Sequence, residues 1–288
     1  MAMGTFVGIS LTGFVWDDFD MAFKNAFEAI DKVERKADLY DSESELSRLN
    51  RHSQRAPFSL SEELFSIIYN SNIIYSESNG AFDITVAPLA ALWKSSIKKK
   101  TIPKNSDIKQ ARAVTGSDKL ILDHERRTVF FKKKGMSIDL GAAAKGYAVD
   151  KAAHEIKRAN FRSAVINAGG DIFCIGKRRF VFPWRVGIRD PSNKDAIYKV
   201  ISISDRAVAT SGGYEQFFLY NGKHYNHLID PKTGYPAADA FGSVTVIADS
   251  CFMADAIATA VFVGGEEVKI KIERLHPDVK IATIPYSR

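Results

Sequence analysis

The sequence is poor in cysteine and in long apolar runs, and each shortage excludes a class of protein. Its 288 residues include only two cysteines, Cys174 and Cys251, which stand far apart among apolar neighbours and form no Cys-x-x-Cys pair. This pattern excludes a disulfide framework and predicts two buried thiols. No apolar run approaches the roughly 18–20 residues of a membrane-spanning helix, so the sequence predicts no transmembrane segment.

The excess of positive over negative charge is also small. Forty Lys and Arg residues against 34 Asp and Glu residues give a formal net charge of +6. Two runs of three lysines, at 98–100 and 132–134, predict solvated surface, and no nucleic-acid-binding motif accompanies them. We therefore expect no nucleic-acid partner. What the chain does contain is 45% hydrophobic residues, enough for the core of an ordinary globular protein.

Helical patterns are concentrated in the first half. An alternating β-branched strand at 5–12 precedes a helix whose apolar face is Phe19, Phe23, Phe27, Ile30 and Val33. Ser59 and Glu62 form a capping box for a second helix that ends at Gly80. A hairpin (119–123 and 128–132), a short strand at 136–140 and a helix over about 142–159 follow.

Short strands dominate the second half, with a helix over about 250–263 and a last strand near 279–284. The predicted strands are 163–167, 171–176, 184–189, 199–203, 206–210, 214–220, 223–229 and 242–248. Helices that precede a strand-rich half predict an α+β fold, with the helices packed on a mostly antiparallel core. No repeat or low-complexity linker interrupts the chain, so we expect one domain over 1–288.

Two glycine-containing segments suit the binding of a nucleotide. Gly80-Ala81-Phe82-Asp83-Ile84-Thr85-Val86 runs from a helix stop into a predicted strand and places an acceptor, Asp83, beside an aromatic ring. The segment 137–147 carries a strand end into a helix through small residues, a geometry that offers backbone N–H groups to a diphosphate. Lys145 adds a positive charge there and Asp139 a hydrogen-bond acceptor. The alternatives are a helix cap with a turn aspartate for the first segment and close helix packing for the second.

Two further segments carry candidate catalytic side chains. His227 lies where a predicted strand enters the turn Asp230-Pro231-Lys232-Thr233-Gly234, so it is either a base or a surface histidine. Asp255 and Thr259 are four residues apart in an apolar helix, hence on one face, roughly 5–6 Å from each other. A carboxylate beside a hydroxyl suits a hard cation such as Mg²⁺. Together the four segments favour phosphoryl-type transfer from a nucleotide.

These segments, in this order, resemble the ApbE family of FAD:protein FMN transferases over nearly the whole chain. The matching motifs are Met3-Gly4-Thr5, Tyr40 with Ser44-Glu45-Leu46-Ser47-Arg48-Leu49-Asn50, Gly80-Ala81-Phe82-Asp83, Asp139-Leu140-Gly141 through Lys145-Gly146-Tyr147, Asn167-Ala168-Gly169-Gly170-Asp171, Ala209-Thr210-Ser211-Gly212, Tyr225-Asn226-His227-Leu228-Ile229-Asp230-Pro231-Lys232-Thr233-Gly234 and Ala254-Asp255-Ala256 with Thr259. Any one of them is weak alone, whereas the ordered set is specific.

The resemblance implies a function and a set of site residues. It implies Mg²⁺-dependent transfer of FMN from FAD to a threonine hydroxyl of an acceptor flavoprotein, such as a redox-pump subunit or a flavin reductase, with release of AMP. It implies a Mg²⁺ site formed by the Ala142 carbonyl, Asp255 and Thr259. The FAD-binding residues that it implies are Met3, Tyr40, Ala81, Phe82, Asp83, Asp139, Lys145 and His227.

Alternatives for the reaction and for the location remain open. The same site suits a Mg²⁺-dependent FAD diphosphatase that yields FMN and AMP, or a flavin-binding protein without turnover, although Asp255 and Thr259 disfavour the latter. The first residues lack the regions of a secretory signal, which predicts a cytoplasmic protein. Because many family members are exported lipoproteins, the alternative is the mature part of a periplasmic lipoprotein without its leader.

Overall fold

The computed structural model describes residues 2–214, 217–238 and 240–286. The helices within this part of the chain are α1 (Phe19–Ala37), α2 (Glu45–His52), α3 (Glu62–Glu77), α4 (Ala87–Lys99), α5 (Asn105–Ala113), α6 (Ala144–Arg158) and α7 (Cys251–Leu275). The strands are β1 (Val7–Thr12), β2 (Phe58–Ser59), β3 (Leu120–Asp123), β4 (Thr128–Phe131), β5 (Ser163–Ala168), β6 (Asp171–Gly176), β7 (Trp184–Asp190), β8 (Asn193–Ile203), β9 (Arg206–Gly212), β10 (Phe217–Tyr220), β11 (Lys223–Asn226), β12 (Ser243–Ala248) and β13 (Lys280–Ile284).

A six-stranded sheet in the order β1-β5-β6-β9-β12-β13 forms the centre of the fold, and each pair of neighbours is antiparallel. The predicted α+β class with a mostly antiparallel core is therefore confirmed. Alternate residues of β6 point to opposite faces of the sheet. Phe173 and Ile175 join the core formed with α6 and α7, whereas Cys174 packs against Val186 of the β7–β8 hairpin.

Three predicted element boundaries are wrong. Helix α3 is capped by Ser61, whose hydroxyl accepts from the N–H of Leu64, because Ser59 is already paired in β2. Residues after Gly80 form a 3₁₀ turn, Ile84–Val86, that leads into α4 instead of a strand. Segment 136–140 forms no strand with the described residues, and the N–H of Ile138 donates to the side chain of Asn50 instead.

Other elements differ from the prediction in length or were missed. Helices α2, α4 and α5 were not predicted. Helix α7 continues past 263, because Gly265 adopts φ 70° and lets the chain kink and resume its helical course. Residues 215 and 216 of the predicted strand 214–220 lie outside the described residues, and β10 begins after them.

Both cysteines are buried and unpaired with each other, as the sequence predicted. Burial raises the pKa of the Cys174 thiol to about 12 and holds the pKa of the Cys251 thiol well above its usual value. Within the described part of the chain, no helix is both long and apolar enough to cross a membrane.

Candidate active site

A cavity of about 630 Å³ lies where the first turns of α6 meet the ends of β5 and β9 and one face of α7. The cavity brings together all the residues that the sequence indicates as catalytic, FAD-binding or Mg²⁺-binding candidates, from segments scattered along the chain. These residues are Met3, Tyr40, Ala81, Phe82, Asp83, Asp139, Ala142, Lys145, His227, Asp255 and Thr259. A second cavity of about 660 Å³ lies beneath the β7–β8 hairpin, but none of these residues lines it.

Lys145 lies between two buried carboxylates at the floor of the cavity. Its ammonium is 2.8 Å from an oxygen of Asp171 and 3.3 Å from an oxygen of Asp255. The same Asp255 oxygen accepts from the backbone N–H of Gly146 at 3.3 Å. Two carboxylates therefore share one ammonium, which leaves an excess of negative charge in a buried place.

The charged side chains of this cluster shift one another's pKa values. Burial alone would lower the pKa of Lys145, but the charges of Asp255 and Asp171 outweigh burial and keep that pKa above its usual value. Burial and the neighbouring charge of Asp255 raise the pKa of Asp171, although Lys145 opposes the shift. Asp171 thus holds a proton more readily than an ordinary aspartate does.

Sequence reasoning missed Asp171 as a site residue. It is the first residue of β6, next to the tight turn Gly169-Gly170, where both glycines have positive φ. The available signal was an acidic residue directly after two glycines in one of the matching motifs. The ion pair with Lys145 joins residues 26 positions apart in two different elements, so neither local pattern predicts it.

Thr259 lies on the cavity side of α7, one turn after Asp255, as the four-residue spacing predicted. Its hydroxyl is 3.0 Å from the hydroxyl of Ser211 near the end of β9. Asp255, Thr259 and Ser211 are all buried and all line the cavity. This side of the cavity is therefore lined by carboxylate and hydroxyl oxygens, the kind of atom that binds hard cations.

The small residues at the start of α6 are interpreted from the sequence either as part of a diphosphate site or as a means of close helix packing, and the structure supports both. The N-cap residue, Ala143, has no capping side chain, and the Asp255 carboxylate accepts from the N–H of Gly146 in the first turn instead. Gly141, Ala142, Ala144 and Lys145 line the cavity. Gly146 serves close packing, because a Cβ atom there would lie 2.4 Å from the carbonyl oxygen of Cys251. The contact between the backbones of α6 and α7 thus fixes the neighbourhood of Lys145 and Asp255.

Asp139 and Asp83 are both held by local hydrogen bonds. One oxygen of Asp139 accepts from the N–H of Gly141 at 2.8 Å. One oxygen of Asp83 accepts from the N–H and hydroxyl of Thr85 and from the hydroxyl of Ser117, so the turn-aspartate alternative is correct for this contact.

The second oxygen of Asp83 has no hydrogen-bond partner among the described residues, although the side chain is only 6% exposed. Burial raises the pKa of this carboxyl against the effect of its hydrogen bonds. An unpartnered buried oxygen beside a cavity is costly unless a ligand supplies a donor. Asp83 is therefore a candidate contact for a polar edge of a bound ring.

The rim of the cavity is formed by Met3 and Tyr40. The backbone N–H of Met3 donates to the carboxylate of Glu34, and Met3 adopts φ 52°. Tyr40 is 76% exposed, and its hydroxyl accepts from the ammonium of Lys94 at 2.6 Å. These contacts place an aromatic ring and a cation at the entrance.

His227 is half-buried directly after β11 and lines the cavity. The preceding Asn226 fixes the loop, since its side chain accepts from the N–H of Leu228 and donates to the carbonyl of Ala237. In the turn that follows, an oxygen of Asp230 accepts from the N–H of Lys232 at 2.9 Å.

Comparison with known proteins identifies relatives that align with most of the chain. The FAD:protein FMN transferase of Vibrio cholerae is 33% identical over 241 residues, which span 83% of this chain and 72% of that protein. The FAD:protein FMN transferase of Treponema pallidum is 31% identical over 274 residues, 90% of this chain and 75% of that protein.

Solved structures share the fold. The ApbE protein of Thermotoga maritima has a TM-score of 0.88 at 31% identity, covering 98% of this chain and 92% of that one. The flavin transferase ApbE of Vibrio cholerae has a TM-score of 0.88 at 28% identity, covering 98% and 91%. A model of the ApbE family matches residues 3–282. The resemblance inferred from the motifs is confirmed, and this chain belongs to the ApbE family.

Proposed function

We propose that this protein transfers FMN from FAD to a threonine hydroxyl of an acceptor flavoprotein and releases AMP, with Mg²⁺ as cofactor. The observation that carries the proposal is the cavity, where two buried carboxylates share Lys145 at the first turn of α6. The names of the relatives from Vibrio cholerae and Treponema pallidum support the same reaction class.

The start of α6 suits the diphosphate of FAD. The positive end of the helix dipole favours phosphate oxygens, and the ammonium of Lys145 adds a positive charge in the same cavity. The isoalloxazine ring then extends toward Phe82 and Asp83, whose unpartnered oxygen is available to a ring N–H. Tyr40 and Met3 border the entrance on the same side of the protein.

The residues present fit a magnesium ion. Asp255 and Thr259 supply a carboxylate and a hydroxyl, Ala142 lines the same cavity, and two carboxylates there face the single ammonium of Lys145. Oxygen ligands of this kind are those that Mg²⁺ takes in proteins, with substrate phosphates and water completing the set. When bound, the ion neutralises charge on the phosphoryl group during transfer.

The chain's own residues then handle the proton and the charge. The threonine oxygen of the acceptor attacks the FMN phosphorus, its proton passes to His227, and the bond from that phosphorus to the AMP oxygen breaks. A threonine hydroxyl is a weak nucleophile near neutral pH, and imidazole is well matched to accept its proton there. The FMN phosphate remains on the acceptor as a phosphoester.

A transfer assay tests this proposal. The protein is mixed with Mg²⁺, an acceptor domain that carries a threonine flavinylation motif, and either FAD or FMN, and intact masses are recorded. We expect an FMN-sized mass increase on the acceptor from FAD alone, because free FMN has no AMP leaving group. Equal labelling from FMN contradicts the mechanism, FMN and AMP without labelling indicate a diphosphatase, and intact FAD indicates a carrier.

The Asp255→Ala variant tests the metal site in the same assay. We expect loss of transfer while FAD affinity falls much less, because the carboxylate serves the ion and the diphosphate and not the flavin ring. Asp249→Ala is the matched control, since Asp249 lies just before α7, its side chain is 79% exposed, and it pairs with Arg206 at the surface. If Asp255→Ala transferred FMN at a rate close to that of the wild type, Asp255 would not belong to the metal site. The same conclusion would follow if the variant stayed that active in buffer from which Mg²⁺ has been chelated.

A further inference from the structure

The end of the central sheet opposite the cavity carries a cluster of apolar side chains. Strand β1 leads from the cavity rim to the loop before α1, and β6 leads from Asp171 to the loop before β7. Phe14 stacks on Trp16 with ring centres 4.9 Å apart and on Phe180 at 5.6 Å, so the two loops form one surface. We call residues 14–16 and 180–182 the aromatic tip.

The side chains of the aromatic tip are open to solvent. Val15 is 96% exposed, Trp16 76% and Phe182 66%, and the other three members are also exposed. Single exposed apolar residues are common, but six of them in two adjoining loops form a contiguous patch, which marks an interaction surface.

The backbone holds this surface outward. Arg179 and Phe180 both adopt positive φ, 50° and 66°, a conformation that a bulky residue rarely takes. The turn is closed by the N–H of Phe180 donating to the Lys177 carbonyl and the N–H of Phe182 donating to the Arg178 carbonyl. A strained conformation maintained by surrounding hydrogen bonds indicates a constrained role for the loop.

Positive charge flanks the aromatic tip. Lys177, Arg178 and Arg179 directly precede it, and none of the three makes an ion pair within the described residues. The first loop is followed by the acidic side chains of Asp17, Asp18 and Asp20, of which Asp17 accepts from the N–H of Phe14 and Asp18 from the N–H of Met21, so the positive charge lies beside the second loop. Cations beside aromatic and aliphatic side chains are the composition of interfacial membrane anchors.

We propose that the aromatic tip docks this protein on anionic lipid bilayers. The tip consists of loops, and it offers neither a helix face nor an extended strand for a protein partner to pair with. Aromatic rings settle at the level of lipid headgroups, and the three cations are attracted to anionic lipid. Six-residue strands at about 3.3 Å per residue place the cavity roughly 20 Å away, on the side facing the solvent.

Vesicle flotation with the full-length protein tests this proposal. Vesicles of phosphatidylcholine alone are compared with vesicles of equal parts phosphatidylcholine and phosphatidylglycerol at low salt. We expect binding to the second kind only, weakened by added salt. The Trp16→Ser/Phe182→Ser variant should lower the partition coefficient at least about tenfold, because two large apolar side chains are withdrawn from the interface.

A charge variant and a matched control complete the design. Lys177→Gln/Arg178→Gln/Arg179→Gln should lower the partition coefficient by roughly fivefold for each cation removed. Ile270→Ser is the control, because Ile270 is 60% exposed on α7, outside the aromatic tip, and it should bind like the wild type.

Three results overturn the proposal. The first is wild-type binding to the anionic vesicles no stronger than that of the Trp16→Ser/Phe182→Ser variant, with both proteins folded by circular dichroism. The second is equal loss of binding in Ile270→Ser. The third is a wild-type dimer, seen by light scattering, that the Trp16→Ser/Phe182→Ser variant converts to a monomer without a change in vesicle binding. In that case a second copy of the chain would occupy the aromatic tip.

Discussion

Asp171 is the residue through which charge, burial and pH are linked in the cavity. Its raised pKa means that the folded chain binds a proton that the unfolded chain releases near pH 4, the ordinary aspartate value of about 3.9. Between that value and the raised one, the folded state carries more protons, so the free energy of unfolding falls as pH rises. Below both values the two states are equally protonated and the effect disappears.

We therefore expect the Asp171→Asn variant to lose this part of the pH dependence. The measurement is urea unfolding of both proteins in chelated buffer at several pH values from the ordinary aspartate range to neutrality. The difference in unfolding free energy, wild type minus variant, should decrease as pH rises. A constant difference would show that Asp171 titrates normally in the folded chain.

His227 is expected to act in the chemical step of transfer. General bases contribute about 10²–10⁴-fold, so His227→Asn should lower kcat within that range at saturating FAD and remove an acidic limb from the pH–rate profile. The half-buried position of His227 on the cavity wall is consistent with either base or binding residue. An unchanged kcat with a weaker apparent affinity for FAD would make it a binding residue only.

At the scale of elements, the contact between α6 and α7 determines the geometry of the Lys145 cluster. Gly146→Ala would place a methyl group against the backbone of Cys251, and neither backbone can give way as a flexible side chain would. We expect a stability loss of about 1–3 kcal/mol from overpacking, reduced by the better helix propensity of alanine, together with slower transfer.

Gly8→Ala is the control for this substitution. Gly8 lies in β1, has no positive φ, and a Cβ atom there would meet nothing within 4 Å. Its thermal midpoint should stay close to that of the wild type. A Gly146→Ala protein as stable and active as Gly8→Ala would show that the helices separate without cost to the site.

The elements that the sequence predicted well are those with strong local signals. Helix α1 and the turn-bounded strands β5 and β6 follow from periodicity and turn residues alone, although Phe27 of the predicted apolar face is exposed and Ala22 and Ala26 are buried instead. Helix α7 was predicted too short because two glycines at 264 and 265 usually end a helix. The chain resumes there because Val268 and Ile272 return to the buried core, which is a tertiary effect.

At the scale of the whole molecule, the site combines residues that local motifs predict with contacts that only the folded chain creates. The eleven predicted residues come from motifs that are read locally, and they meet because the ends of antiparallel strands, the first turn of α6 and one face of α7 lie together. Asp171 and Ser211 depend on register across the sheet and on the approach of α7, so no single segment reveals their contacts with Lys145 and Thr259. Long-range pairing is what the sequence patterns leave undetermined.

The burial of both native thiols makes the chain suitable for selective chemical attachment. The thiolate is the species that attacks a maleimide, and both cysteines are buried with raised pKa values, so the folded wild type should take up no maleimide at neutral pH. Val15→Cys, at the most exposed position of the aromatic tip, should take up one label per chain by mass spectrometry. Labelling of the folded wild type at a comparable rate would contradict the buried placement. A protein coupled to a resin or electrode through that thiol would present its cavity to the solution, with every molecule oriented alike.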